Sequence, residues 1–316
     1  MTTSMRYICF TARLATVAIK AFLLSLNPAA SVVKQWDYGF LKDFLEGDMW
    51  RPPGWEGFDI SACDRLVKAG RALVAIPARH HKEMEREINA ELNKIGRVVL
   101  FLLGDEEADF DADLIDHPNI AVWVQNPHPG KHDAFHRLGT GYPPHMRDCL
   151  PISGLPQKNN DLFFSGQLTH KRRHEMWDVL VYYQQENPGR RLLLNRTRGF
   201  TQGMNPNEYY QAMTGAKIAP CPSGAVIPDS FRLFEALQCM AVPIADETNP
   251  AGDISLYWDW LFGCPVPFPK LTEWDRLYGL IDETLDGYPS INHRITAWWI
   301  NYKRDFAYKV MGQLNA

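Results

Sequence analysis

Residues 220–246 place an arginine and a glutamate near the start of a predicted helix. The stretch begins as a loop rich in proline and glycine, and Asp229 or Ser230 then stands where a helix N-cap belongs. Arg232 and Glu235 follow, three residues apart, which puts them side by side on one helix face. A helix N-terminus offers free N–H groups to phosphate, and a carboxylate one turn later can accept hydrogen bonds from sugar hydroxyls. This corner could therefore bind a phosphorylated sugar.

The same stretch carries a family resemblance. Residues 230–238, with the short apolar strand 242–244 after them, resemble the C-terminal motif of exostosin-like glycosyltransferases. The resemblance covers roughly residues 162–246 and implies an α/β fold with two Rossmann-like domains facing a cleft, the GT-B architecture. It also implies that Glu235 binds the ribose of a nucleotide-sugar donor. The alternative is an ordinary amphipathic helix with a surface pair of Arg232 and Glu235.

A second cluster of cations follows the predicted strand at 161–165. Gly166 ends this strand, and Thr169 or His170 can cap the helix that begins next. The first turn of that helix holds Lys171, Arg172 and Arg173. Cations are disfavoured there because the helix dipole prefers anions, and a diphosphate would supply the compensating charge. The family resemblance also implies a basic contact to the donor diphosphate in this loop, and the alternative is a solvated basic face.

These segments together define the predicted donor site. We expect Arg232 and the loop cations to lie near phosphate, with the backbone around Ser223, Gly224 and Ser230 closing over it. The full predicted donor-binding set is Gly166, Lys171, Arg172, Arg173, Ser223, Gly224, Asp229, Ser230, Arg232 and Glu235. Positive side chains could stabilise the leaving diphosphate without a metal, and no Asp-x-Asp triplet stands in a likely donor loop. We therefore predict no metal and no cofactor beyond the nucleotide diphosphate sugar, which is the donor substrate.

The N-terminal half has the pattern of a βαβ unit. Continuous apolar runs at 72–76 and 97–103 flank an amphipathic segment, which is typical of parallel strands around a helix. The carboxylates that follow the second run are Asp105, Glu106 and Glu107. Ligands gather at the carboxyl ends of parallel strands, and neighbouring carboxylates raise one another's pKa, so these three are the predicted catalytic bases. The alternative is a solvated acidic loop.

Turn-rich segments place the domain boundary between about residues 145 and 158. The predicted organisation is an acceptor-side Rossmann-like domain at 1–155, a nucleotide-sugar-binding domain at 156–290 and a terminal helix at 291–316. In GT-B proteins a terminal helix commonly crosses back to the first domain, and the resemblance extends that expectation to this helix.

Composition limits the classes of partner and compartment. The 316 residues, 46% of them hydrophobic, suffice for two domains with their own cores. The formal charge of −4 argues against binding nucleic acid mainly by bulk electrostatics, although a local basic groove would survive that average. The six cysteines are scattered and form no C-x-x-C pair, which predicts reduced thiols in a cytoplasmic protein.

The apolar N-terminus is interrupted by Arg6, Arg13 and Lys20. These charges leave runs too short for a transmembrane helix, so no transmembrane segment is predicted. The stretch fits the first strand and helix of a globular domain, and the alternatives are a basic amphipathic segment in peripheral contact with a membrane and a signal peptide.

The predicted function is transfer of a hexosyl or pentosyl group from a nucleotide diphosphate sugar to an acceptor hydroxyl. The resemblance implies inversion at the anomeric centre. A saccharide, a nucleobase, a lipid-linked glycan and a protein all remain open as acceptors. Two alternatives stay beside this prediction: a non-catalytic carbohydrate- or nucleotide-binding protein, and a sugar-nucleotide epimerase or hydrolase on the same fold.

Overall fold

The computed structural model describes residues 71–77, 96–105, 118–143, 146, 157–199 and 202–316. It shows two parallel sheets, one of four strands and one of five, accompanied by helices, so the predicted α/β class with parallel sheets is confirmed. The chain divides into two compact units, one made of Met1–Thr140 with Ile300–Ala316 and the other of Gly141–Trp299. This division falls at 140/141 and at 299/300, whereas the sequence predicted 155/156 and 290/291.

The first unit contains a four-stranded parallel sheet in the order β1–β2–β3–β4. Its strands are β1 (Arg71–Pro77), β2 (Arg97–Leu103), β3 (Ile120–Gln125) and β4 (His136–Leu138). Six consecutive residues of β2 are buried, as expected of an inner parallel strand that is covered on both faces. The predicted strands at 72–76 and 97–103 are confirmed, and β4 has only three residues, too few to produce a recognisable sequence pattern.

The end of the terminal helix α6 (Tyr288–Asn315) packs on this first sheet. The ring of Phe306 meets that of Trp123 edge to face, with 4.8 Å between centroids. The Trp123 indole Nε1 donates to Gln313 Oε1 at 2.9 Å, and Arg97 Nε donates to the Gln313 carbonyl oxygen at 2.8 Å. The last turns of the chain therefore complete the unit that contains β1 to β4.

The second unit contains a five-stranded parallel sheet in the order β6–β5–β7–β8–β9. Its strands are β5 (Asn160–Gln167), β6 (Leu192–Thr197), β7 (Ala216–Cys221), β8 (Val242–Asp246) and β9 (Lys270–Leu271). The chain moves from β5 to its neighbour β6 on one side and then returns to β7 on the other side. The strand order therefore reverses between β5 and β7.

Between β5 and α6, the described part of this second unit forms five α-helices and one short 3-10 turn, Trp274–Arg276. They are α1 (Lys171–Glu186), α2 (Pro206–Thr214), α3 (Phe231–Gln238), α4 (Tyr257–Phe262) and α5 (Leu277–Asp286). The core between sheet and helices is apolar and fully buried; its members include Leu162, Phe164, Met176, Leu180, Ile218, Ile244, Leu277 and Ile281. A rigid apolar core of this kind fixes where the strands end, and the ends position the polar groups described next.

Within the described ranges, no helix combines the length and the apolar character needed to cross a bilayer. The apolar N-terminal stretch with Arg6, Arg13 and Lys20 lies outside the described residues. Its predicted structure therefore stays a prediction.

Candidate functional site

The predicted donor-binding residues lie around the carboxyl ends of β5 and β7. β5 ends at Gln167 and leads into α1, and β7 ends at Cys221 and leads through a loop into α3. In open parallel sheets, ligands bind outside the carboxyl ends of the strands, at the point where the strand order reverses. The reversal between β5 and β7 is such a point, and two loops that the sequence singled out meet there.

The carbonyl oxygen of Ser223 joins those two loops. It accepts hydrogen bonds from Arg173 Nη2 at 3.0 Å and Arg173 Nε at 3.2 Å, and His170 Nε2 lies 3.2 Å away. The Ser223 amide donates in turn to Asp246 Oδ2 at 3.3 Å, at the end of β8. The loop after β7 is thereby held against the first turn of α1 and the end of β8.

Gly224 lets the loop after β7 fold back on itself. A Cβ atom at this position would lie 2.5 Å from the Asp229 carbonyl oxygen and 3.0 Å from that of Ile227. These contacts are with backbone atoms, which cannot swing away, so no other residue fits without moving the loop. Ser230 is the N-cap residue of α3 as predicted, but its hydroxyl donates to the Pro222 carbonyl at 3.2 Å instead of capping the helix.

The three consecutive cations of α1 have three different environments. The Lys171 side chain is 86% exposed and lies 3.4 Å from Glu175. Arg172 is buried and binds Asp246 with two parallel contacts, Nη2 to Oδ1 at 2.6 Å and Nε to Oδ2 at 2.9 Å. Arg173 alone of the three reaches the loop after β7. A cation facing the predicted donor loops is therefore present, and it is Arg173.

The charge of Arg173 is met by neutral oxygens. Besides the Ser223 carbonyl, it donates from Nη1 to the Gln167 carbonyl at 3.3 Å. Among the described residues no carboxylate lies within ion-pairing distance of it, and the nearby Asp246 already pairs with Arg172. Burial, together with repulsion from Arg232, lowers the pKa of Arg173 to about 10. The group still carries its full positive charge at neutral pH.

Arg232 lies in an aromatic setting beside Arg173. Its guanidinium carbon is 4.7 Å from the centroid of the Phe164 ring and 5.9 Å from that of Tyr209. Its Nη1 is buried and has no hydrogen-bond partner in the part of the chain that the structure describes. Gly166 makes room for the group, because a Cβ there would lie 2.7 Å from Arg232 Nη2. A buried donor of a charged group without a partner indicates a missing acceptor.

Glu235 is held by two tyrosines. It is only 7% exposed, and its two carboxylate oxygens accept hydrogen bonds from Tyr209 at 2.8 Å and Tyr210 at 3.0 Å. Burial raises the pKa of this carboxyl, while Arg232 and the two hydroxyls act in the opposite direction. Ribose binding by Glu235 stays a prediction, and a ribose hydroxyl would have to join or replace a tyrosine at one of these oxygens.

Two helices point uncapped N-termini toward this region. α1 begins after His170 and α3 after Ser230, and neither N-cap residue makes a side-chain capping bond. The first turn of each helix also lacks an acidic residue. The positive ends of two helix dipoles thus add to the charges of Arg173 and Arg232. The local potential favours an anion with several oxygen acceptors.

Several residues of this region were not anticipated as site residues. The sequence predicts His170 only as a possible helix cap, and it assigns no role in the site to Phe164, Tyr209 or Tyr210. Their role depends on side chains brought together from different elements, and no local sequence spacing reports that. Asp229, by contrast, was predicted and is buried beside the loop; it forms a hydrogen bond with Tyr257.

The predicted catalytic carboxylates belong to the first unit. Asp105 directly follows β2 and is buried, with 5% of its surface exposed. The preceding Gly104 has φ 75° and its amide donates to Gln125 Oε1 at 2.7 Å, so the chain turns sharply as it leaves the strand. Glu106 and Glu107 lie outside the described residues. The role of all three as a catalytic base stays a prediction.

No group of three or more histidine, cysteine, aspartate or glutamate side chains in the described ranges is arranged to hold a metal ion. In comparisons with known proteins, no family model matches the chain and no curated protein matches it.

Proposed function

We propose that the protein is a GT-B glycosyltransferase whose second unit binds the diphosphate of a nucleotide-sugar donor between the ends of β5 and β7. The observation that carries this proposal is the meeting of Arg173 and Arg232 at the point where the strand order reverses, with no carboxylate paired to either among the described residues. Guanidinium groups bind phosphate oxygens through planar, charge-assisted hydrogen bonds. Glu235 is the carboxylate on which Arg232 acts, and it does not pair with either guanidinium. A diphosphate supplies further negative charge and several acceptors.

The energetics of the two guanidinium groups favour a ligand over a purely structural role. Two like charges that repel each other and are partly removed from water cost free energy, which folding alone does not recover. Arg172 shows the structural solution in the same turn, because it forms a buried ion pair with Asp246. Arg173 has no such carboxylate partner among the described residues, and an arginine in a binding site for an anion must be available in this way.

The reaction that follows from this site is displacement at the sugar's anomeric carbon. The bond from that carbon to the diphosphate oxygen breaks as the acceptor hydroxyl oxygen attacks, and the acceptor's proton passes to a base. The charge that develops on the diphosphate is met by Arg173 and Arg232, which are already in place. Asp105 is the described candidate for the base, and inversion of the anomeric centre follows from the family resemblance.

Direct binding measurements test the donor site. We would titrate the protein with UDP, GDP, ADP, CDP and dTDP, and with a sugar conjugate of each, by isothermal calorimetry. At least one should bind in the micromolar range, and Arg173→Gln and Arg232→Gln should each lose roughly 1.5–3 kcal/mol, or about 10- to 100-fold in Kd. Lys171→Gln is the matched control and should bind as the wild type does, because this side chain is exposed.

Two results would remove the proposal: no member of the panel binds, or both arginine variants bind as tightly as the wild type. Turnover then separates the enzyme classes. A transferase releases nucleoside diphosphate faster when an acceptor is added, a hydrolase releases it without one, and an epimerase changes the sugar without release. Binding with none of these reactions would identify a non-catalytic nucleotide-binding protein.

A further inference from the structure

His170 lies against the proposed diphosphate site with one ring nitrogen engaged and the other unused. Its Nε2 is 3.2 Å from the Ser223 carbonyl oxygen, which has no hydrogen to give, so Nε2 carries the hydrogen of that bond. Its Nδ1 is buried and has no hydrogen-bond partner among the residues that the structure describes. In the neutral ring, Nδ1 is therefore a lone pair without a donor, and in the charged ring it becomes a second donor.

The surroundings of His170 hold the ring in its neutral form while no anion is bound. Burial and then the positive charge of Arg173 lower its pKa; the Ser223 carbonyl and Asp246 act in the opposite direction, and Arg172 lowers it again. Arg173 donates to the same Ser223 carbonyl, which places the two cationic side chains on one oxygen. A polyanion bound at Arg173 would reverse this balance, because it is an opposite charge next to the imidazole.

We propose that His170 is a further contact to the donor diphosphate and binds it as an imidazolium, so that binding of the donor is coupled to the uptake of a proton by the imidazole. This inference rests on the proposed function. The proton comes from solvent to Nδ1 when the donor binds, and Nδ1–H then donates to a phosphate oxygen. No covalent bond to His170 forms, and the proton returns to solvent when the nucleoside diphosphate leaves.

The direction of the pH dependence follows from the two states. The pKa of His170 is lower without the anion than with it, so the donor binds most tightly when the pH is below the pKa of the free protein. Affinity for the donor falls as the pH rises from the pKa of His170 in the free protein to its pKa in the complex. Above the second value the affinity no longer changes. Arg173 stays charged throughout this range, so it contributes equally at every pH tested.

Calorimetry in buffers of different ionisation enthalpy measures the proton directly. The probes are UDP-glucose, GDP-mannose and ADP-glucose, whose esterified diphosphates keep a constant charge between pH 6 and 8.5. The wild type should take up a large fraction of one proton near neutral pH. His170→Gln should take up none, bind about tenfold more weakly than the wild type at pH 6 and equal it at pH 8.5. His174→Gln, an exposed histidine on the same helix, is the matched control and should behave as the wild type.

A second measurement on the unmodified chain keeps the test independent of how the variant folds. The Cε1–H resonance of His170, followed by NMR in protein labelled with ¹³C-histidine, should titrate at higher pH with the bound nucleotide sugar than without it. Binding without proton uptake, or with uptake that persists in His170→Gln, overturns the role of His170 and leaves the donor site standing. If none of the three nucleotide sugars binds, the same measurement is made with the sugar conjugates of CDP and dTDP, and both this inference and the proposed function fail if none of the five binds.

Discussion

At the carboxyl edge of the first sheet, polar groups satisfy one another. Gln125 accepts from the Gly104 amide at 2.7 Å and donates to the Thr140 carbonyl at 2.9 Å, and Asn126 donates to the Thr140 hydroxyl at 2.6 Å. At the same edge of the second sheet, Arg173 donates, among the described residues, only to carbonyl oxygens, and Arg232 retains a donor without a described partner. At the end of β3 the described polar groups pair with one another, whereas at the ends of β5 and β7 a bound anion would supply the acceptors that these arginines do not find among the described residues.

The strand orders differ in the same sense. The first sheet runs β1–β2–β3–β4 in sequence order, and the second reverses between β5 and β7. Loops that follow strands on either side of a reversal lead away in opposite directions and leave a crevice between them. A sheet without such a reversal offers no equivalent place at its described strand ends. Topology and unsatisfied charge therefore point to the same corner of the second sheet.

The largest effect is expected from breaking the buried ion pair between Arg172 and Asp246 at that corner. Asp246→Asn leaves Arg172 buried opposite a neutral amide and should lower the free energy of unfolding by about 3–5 kcal/mol. Urea denaturation followed by circular dichroism measures this. The control is Glu175→Gln, which removes an exposed pair worth at most about 1 kcal/mol. A loss below 1 kcal/mol for Asp246→Asn would show that the buried pair is not needed.

The neighbouring arginine should respond much less. Arg173→Met removes a charge that repels Arg232, and it also removes the hydrogen bonds to the Ser223 and Gln167 carbonyls. These effects oppose each other, so the free energy of unfolding should change far less than for Asp246→Asn. Inorganic pyrophosphate at ten to a hundred times its Kd should stabilise the wild type by about 1.4–2.7 kcal/mol. The variant should lose most of this stabilisation in a thermal-shift assay at equal concentration. Equal stabilisation of both proteins would contradict the distinction between Arg172 and Arg173.

A smaller effect is expected where the backbone makes room for Arg232. Gly166→Ala places a Cβ within 2.7 Å of Arg232 Nη2, and the flexible end of that side chain must then shift. Affinity for the best nucleotide sugar should fall by about threefold to tenfold, less than on removing the guanidinium. Gly279→Ala is the control, because nothing lies within 4 Å of a Cβ there, and it should leave binding unchanged. An unchanged Kd for Gly166→Ala would contradict a contact between Arg232 and the ligand.

The smallest effect concerns the first sheet. Burial, followed by repulsion from Lys309 and Arg137, lowers the pKa of His136 below its usual value of 6.5. Its contribution to stability is complete above pH 6.5 and is lost as the pH falls through the lowered pKa, with a slope of at most about 1.4 kcal/mol per pH unit. We expect His136→Gln to reduce the slope of the free energy of unfolding against pH, measured between pH 7.5 and 5. If the free energy of unfolding depends on pH in the same way in the variant, the dependence comes from a group other than His136.

The sequence predicted those features that depend on neighbouring residues. The apolar run of β2 and the position of Ser230 at the start of α3 are both local patterns of burial or capping, and both are found. The different environments of Arg172 and Arg173 could not be predicted, because the partner that separates them, Asp246, lies 74 positions away from Arg172.

Glu235 shows the same limit. Its place on α3 was predicted from spacing, but its tyrosine partners lie on α2, 25 and 26 positions earlier. The buried hydroxyls convert a side chain expected on a polar helix face into part of the core. A pattern of polar and apolar residues cannot reveal this, because glutamate is assigned to the surface unless its partners are known.

The adjacency of Arg172 and Arg173 sets a limit on chain length in this loop. Successive helix residues are rotated by about 100°, so the two guanidinium groups take their separate directions from the position at which α1 begins. If one residue were inserted or deleted between Gln167 and Lys171, Arg172 would no longer face Asp246 and Arg173 would no longer face the carbonyl oxygens. Surface loops usually accept such changes in length. Here a single-codon insertion would exchange the cation that pairs with Asp246 for the cation that we propose binds the ligand, although every side chain of the site would still be encoded.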